Sequence, residues 1–160
     1  MPHIHDLYDF TVSAFILHPT EPKICLHLHK KLNSWLQPGG HIELNEDPQE
    51  ALERELKEET GLSKTDFEFF TNPEQPRPRD TKTIILPMHL DVHSFDETHK
   101  HIDFTYLIRA KTAELKPQEG ESTEICWFDI DEIRRLHKEG KVYRNILDIC
   151  EWIFKNIDKL

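Results

Sequence analysis

A chain of 160 residues with a formal net charge of −10 at pH 7 has room for one domain with a sizeable core. No Ser/Gly linker or internal repeat divides it, so residues 1–160 are expected to fold as a single unit. The acidic balance argues against general nucleic-acid binding, because a phosphate backbone would be repelled, but not against a small phosphorylated substrate, since a bound metal ion reverses the local sign.

The amino terminus, Met1-Pro2-His3-Ile4-His5-Asp6, has neither a basic n-region nor an apolar h-region, and no stretch is long enough to span a bilayer. Cys25, Cys126 and Cys150 are widely spaced, odd in number and each set in an apolar run. They are expected to be reduced core residues of a soluble, cytoplasmic protein.

Tyr8 to His18 is rich in aromatic and β-branched residues and predicts a strand, ended by Pro19-Thr20-Glu21-Pro22. Lys23 to Lys30 alternates Ile24, Leu26 and Leu28 with Cys25, His27 and His29, which predicts a hairpin with the first strand. Trp35-Leu36-Gln37-Pro38-Gly39-Gly40 follows, and its paired glycines allow close backbone approach to a ligand.

Asp47 is a good N-cap, Pro48 suits the first helical position, and Glu50 completes a capping-box spacing. Gly61 supplies a left-handed residue past the end, so a helix is predicted from about Pro48 to Thr60. On it Glu55, Glu58 and Glu59 are related by i, i+3 and i, i+4 and share one face, beside an apolar stripe of Ala51, Leu52 and Leu56. Three crowded carboxylates call for positive charge, and in this stretch only Arg54 is placed to help. A hard divalent cation meets the need: oxygen-only ligation favours Mg²⁺ or Mn²⁺ over zinc, and Mg²⁺ completes its shell with water and phosphate oxygens. Without such a cation, the same residues read as a solvated, glutamate-rich surface helix.

Downstream, Phe67 to Phe70 predicts a short strand. Thr71 to Thr83, with three prolines and Arg77, Arg79 and Lys82, predicts an extended surface loop, either a plain linker or a lip that grips a distant phosphate. Ile84 to Val92 and Ile102 to Lys111 predict strands separated by Ser94 to Lys100, and Thr123 to Phe128 a further strand. Asp129 or Asp131 then opens a helix toward His137, with Gly140 past its end. Val142, Ile146, Ile149, Cys150, Ile153, Phe154 and Ile157 recur at helical spacing and predict a core-packing helix over about Val142 to Ile157. Strands interleaved with two or three helices suit an α/β/α sandwich around a mixed sheet.

The histidines alternate in pairs, His3/His5, His27/His29 and His99/His101, and residues two apart in a strand point to one face. His99 and His101, followed by Asp103 and Tyr106 just before a central strand, are expected to line a substrate pocket. His41, after the glycines, is a candidate to join them.

The stretch from Gly40 to Leu62 resembles the Nudix box: Gly40, Glu46, Arg54, Glu55, Leu56, Glu58, Glu59, Gly61 and Leu62 fill every fixed position without a gap. The resemblance implies the same α/β/α sandwich and a Mg²⁺- or Mn²⁺-dependent pyrophosphohydrolase acting on a small phosphorylated substrate, a nucleoside triphosphate or a nucleoside diphosphate conjugate. It further implies a metal set of Glu55, Glu58, Glu59 and the Gly39 carbonyl, with Gly40 at the substrate, Arg54 holding the carboxylates and Glu46 bracing the loop. The water-activating base of such enzymes is either the glutamate matching Glu58 or one from a loop before the last core strand. Among Glu119, Glu121 and Glu124, the distance before Trp127 favours Glu121.

Two alternatives stand beside the hydrolase. Isopentenyl-diphosphate isomerase has a Nudix-like fold and uses a histidine after the box glycine; His101-Ile102-Asp103-Phe104 is faintly similar to its later acidic strand, but the complete hydrolase box and the lack of a matching cysteine argue against it. A nucleotide-sensing Nudix domain without catalysis would have no need of the three glutamates. The sequence names no single substrate and leaves monomer and homodimer equally open.

Overall fold

The computed structural model describes residues 6–160, so the His3/His5 pair lies outside the described residues. The elements run β1 (Tyr8–Leu17), β2 (Ile24–His29), β3 (Ser34–Leu36), β4 (Gly39–His41), α1 (Pro48–Thr60), β5 (Phe67–Phe69), β6 (His89–Ser94), β7 (Lys100–Ala110), β8 (Ile125–Phe128), α2 (Ile130–Lys138) and α3 (Arg144–Asn156), then a 3₁₀ turn over Ile157–Lys159.

The two longest strands make the axis of the fold. β1 and β7 run parallel from Tyr8↔Lys100 to Leu17↔Arg109, and every other pairing in the sheet is antiparallel. β4 borders the middle of β1, from Thr11 to Ser13, while β2 takes only its last two residues, Ile16↔Cys25 and Leu17↔Ile24. On the far side of β7, β6 covers the first half and β5 the end. The result is a mixed eight-stranded sheet.

Strand alternation sorts the two faces. Val12, Ala14 and Ile16 of β1, with Tyr106, Ile108 and Ala110 of β7, bury Ala51, Leu52 and Leu56 of α1. Phe15, Leu17 and Leu107 face the other way and bury Ile133 of α2 and Ile146, Leu147, Cys150 and Ile153 of α3. This is the expected α/β/α sandwich. Among the described residues no helix is long and apolar enough to cross a membrane.

The helix signals read from sequence are in place. Asp47 accepts from the Gln49 and Glu50 N–H groups while Glu50 returns a bond to the cap, and Gly61 closes α1 at φ 79°. For α2 the cap is Asp129, boxed with Glu132, which decides between the two aspartates. The last helix starts at Arg144, although Val142 is buried in the same core.

Two expectations need correction, and two short strands are new. The strand expected from Ile84 begins only at His89, because Pro87 has no N–H to give a ladder. β3 and β4, for which the sequence carried no strand expectation, are three residues each, too short for alternation to register, and are set by their partners. Cys25 and Cys150 are buried free thiols, but Cys126 is exposed: Ile125 and Trp127 pack on the α1-side core, and alternation turns the residue between them away from it.

Two glycines give a paired test of this frame. Gly140 (φ 74°) has open space where a Cβ would stand, whereas a Cβ on Gly61 would meet the Lys116 carbonyl oxygen at 2.5 Å. Left-handed backbone costs an ordinary L-residue roughly 1–2 kcal/mol. Gly140→Ala is therefore expected to lose about 1 kcal/mol, and Gly61→Ala at least about as much again. Urea denaturation of both variants measures the difference; equal losses would show that the Lys116 contact is not felt.

Candidate active site

The acidic face of α1 meets the sheet at the Gly39–Gly40 turn. β4 pairs with β1 at Ser13↔Gly39, Val12↔Gly40 and Thr11↔His41. A side chain at Gly39 would strike the Val12 carbonyl oxygen, and one at Gly40 would strike the Glu55 carboxylate. Both glycines are therefore demanded by close approach, the first to strand backbone and the second to the acid.

Arg54 organises the carboxylates. Its Nε and Nη2 donate to the two oxygens of Glu46 at 2.6 and 3.0 Å, Nη1 donates to Glu55 Oε1 at 2.7 Å and to Glu58 Oε2 at 3.5 Å, and Nη2 also reaches the His41 carbonyl at 3.0 Å. One guanidinium thus joins the loop, the helix and β4 through its planar fork. Glu46 in turn accepts from the Glu43 N–H, which braces the loop as expected. The Arg54 hydrogen bonds hold the Glu46 carboxyl below the usual range.

Glu59 lies outside that fork. Its Oε2 accepts from the Gly39 N–H at 2.7 Å, and its Oε1 stands 4.0 Å from His27 Nε2. Burial, reinforced by the charges of Glu55, Glu121 and Glu58 against the opposing Gly39 hydrogen bond, pushes its carboxyl up to about 8. Burial raises Glu55 as well, with Arg54 opposing and Glu58 and Glu121 adding repulsion. His27 moves the other way, down to about 4, through burial and then the charge of His29.

Glu121 acts on both Glu55 and Glu59 across a long stretch of chain. Its charge raises both carboxyls. His27 is the site neighbour that sequence reading did not single out; its signal was the His27/His29 alternation, with nothing to tie either ring to α1. Lys82 does not reach toward the acids but bonds Asp47 at 2.6 Å and Glu50 at 3.3 Å, pinning the proline-rich loop to the start of α1. His99 and His101 gather elsewhere, with Asp9 and His41.

The donor set fits a hard divalent cation. Glu55, Glu58 and Glu59 offer only oxygens, repel one another and sit beside a glycine turn where no side chain intrudes. Among the described residues no three ligating side chains already surround a common point: Arg54 draws Glu55 and Glu58 to one side while Gly39 holds Glu59.

A raised pKa makes stability depend on pH. A carboxyl whose folded value, about 8, exceeds its unfolded value binds a proton in the native state that the unfolded chain has lost. Stability therefore falls as pH rises from about 5 to 8, by at most about 1.4 kcal/mol per pH unit for one group. In EDTA, Glu59→Gln is expected to flatten that fall; a slope unchanged by the substitution, followed by urea titration, would remove Glu59 as its source.

Comparison with known proteins agrees with the geometry. The family model described as the NUDIX domain matches residues 8–148. A probable DHNTP pyrophosphohydrolase of Lactococcus lactis subsp. cremoris (strain MG1363) is 32% identical over 140 residues, 86% of this chain and 75% of that protein. A crystal structure of a NUDIX-family hydrolase from Clostridium perfringens superposes with a TM-score of 0.76 at 33% identity, covering 93% of this chain and 97% of the other. A C. elegans Ap4A hydrolase, at 13% identity, shares the fold with a TM-score of 0.73 over 95% of this chain and 99% of its own. With the glycine turn, the acidic helix face and its arginine fork all in place, the chain belongs to the Nudix hydrolase family.

Proposed function

We propose that this protein is a Mg²⁺-dependent pyrophosphohydrolase, with Mn²⁺ as a substitute, that cleaves a phosphoanhydride bond in a nucleoside triphosphate or a nucleoside diphosphate conjugate. The observation that carries the reading is the approach of the Gly39–Gly40 turn to Glu55 and Glu59, which brings backbone and buried acid together with no side chain between. The relative spanning most of this chain is named for DHNTP pyrophosphohydrolysis, and this favours a small triphosphate over a long conjugate.

Glu55, Glu58 and Glu59, with the Gly39 carbonyl, would hold the cation. When bound, it neutralises phosphate charge and lowers the pKa of coordinated water. The chain itself supplies position and polarity. Arg54 fixes where Glu55 and Glu58 point, and Gly40 lets the strand backbone come up against the Glu55 carboxylate. Glu121 is the base: the water oxygen forms a bond to phosphorus, the bridging P–O bond breaks, its electron pair leaves with the departing phosphate, and the water proton passes to the carboxylate. Glu58, with more than a third of its side chain exposed, meets solvent and substrate at the mouth of the site.

A screen of nucleoside di- and triphosphates and their conjugates with Mg²⁺, read by released phosphate or pyrophosphate, tests the class. Isomerase activity would release no phosphate, and a sensor would bind without turnover. On the best substrate, Glu58→Gln and Glu121→Gln are each expected to lower kcat by about 10²–10⁴-fold with an unchanged circular-dichroism spectrum, and EDTA to abolish turnover. Full activity in EDTA would remove the cation from the mechanism, and undiminished turnover in either variant would remove that residue.

A further inference from the structure

The sheet face turned away from α1 carries a second cluster of ligating side chains. Asp9, Thr11 and Ser13 of β1 stand in register with His101, Asp103 and Thr105 of β7, and β4 adds His41 opposite Thr11. His99 Nε2 lies 3.0 Å from Asp9 Oδ2, and His41 Nε2 lies 3.4 Å from the same oxygen. The His101 ring packs edge-on against both imidazoles, 5.0 Å from His41 and 5.6 Å from His99 between centroids. Asp9, His99 and His101 are all buried.

Hydrogen bonding alone accounts for a lattice of this kind, and the same spacing is also that of donor atoms around a metal ion. Around a tetrahedral ion with ligand bonds of about 2.0–2.1 Å, neighbouring donor atoms stand about 3.3 Å apart. The two separations at Asp9 Oδ2, 3.0 and 3.4 Å, bracket that value. Asp103 takes no part. Its carboxylate accepts from the hydroxyls of Thr11 at 2.6 Å, Ser13 at 2.6 Å and Thr105 at 2.7 Å.

We propose that Asp9, His41, His99 and His101 form a binding site for a divalent transition metal, Zn²⁺ foremost, separate from the acidic face of α1. Three imidazoles and one carboxylate suit zinc and disfavour Mg²⁺, which takes oxygens. Because these side chains do not yet surround one point, binding turns the His101 ring inward from its stack on exposed Phe95. Exposed His93, 5.4 Å from His101 and bonded to Asp91, marks where the cluster reaches solvent and a metal enters. The consequence falls on β4: His41 follows Gly40 directly, so a metal at His41 pins the strand that carries the glycine turn.

The test keeps the two sites apart. Full-length protein, stripped of metal and held in excess Mg²⁺, is given Zn²⁺, gel-filtered and assayed for bound zinc; Co²⁺ replaces Zn²⁺ for visible absorption. Wild type and the Glu55→Gln/Glu58→Gln/Glu59→Gln variant are both expected to retain one zinc per chain and to show the intense Co²⁺ bands of four-coordinate nitrogen–oxygen ligation. His99→Ala/His101→Ala is expected to lose both signals, and His101→Gln, which preserves bulk, serves if the double variant fails to fold. Loss of zinc from wild type, its survival in His101→Gln, or its loss in His3→Ala/His5→Ala while the cluster is intact would each overturn the assignment.

Discussion

The candidate site depends on one constraint: a single guanidinium must satisfy acceptors drawn from three parts of the chain. Glu55 is buried and Glu58 half-exposed on α1, Glu46 belongs to the preceding loop, and the His41 carbonyl ends β4; Arg54 bonds all four. A carboxylate taken from water without a partner is costly, so the loop can close over the helix only where the fork reaches. The glycine turn, α1 and the sheet are thereby fixed relative to one another before any ligand arrives.

The β1–β7 pair makes a second commitment, because alternation forces each strand to serve two environments. Toward α1 the pair is apolar, which the core requires. On the reverse face its carboxyl-terminal half is apolar too, under α3, but its amino-terminal half carries Asp9, Thr11, Ser13, His101, Asp103 and Thr105, all buried. Three hydroxyls satisfy Asp103, and burying this carboxylate is tolerable because its acceptors meet donors. Polar residues occupy strand positions where apolar ones would pack without such matching, which is the usual mark of a face with a task beyond packing.

Much of this was legible in the sequence, for identifiable reasons. The limits of α1 follow from Asp47, Pro48, Glu50 and Gly61, each acting through its own local chemistry, and the convergence of Glu55, Glu58 and Glu59 on one face follows from helix periodicity. The grouping of His41 with His99 and His101 was visible as a possibility but not as a contact, since it needs the parallel register of β1 with β7 and the antiparallel register of β4 with β1. His27 beside Glu59 and Lys82 on the α1 cap were not legible at all: both are contacts between segments far apart in the chain. Cys126 misled because an apolar neighbourhood in sequence says nothing about which side of a strand is covered.

The electrostatics distinguish the three glutamates of α1 from one another. Glu55 and Glu58 share Arg54, so part of their charge is already balanced; Glu59 has a backbone N–H, a histidine whose burial keeps it neutral, and three acidic neighbours. Under the proposed reading, an incoming cation would meet a different competitor on each side: a proton at Glu59, and the arginine at Glu55 and Glu58. Arg54 would then set the affinity from one side and Glu59 the pH dependence from the other. Both act through the Gly39–Gly40 turn, since Arg54 bonds the His41 carbonyl and Glu59 the Gly39 N–H. Loading of the proposed site would in this way be coupled to β4, and a change at either residue would be felt at the turn.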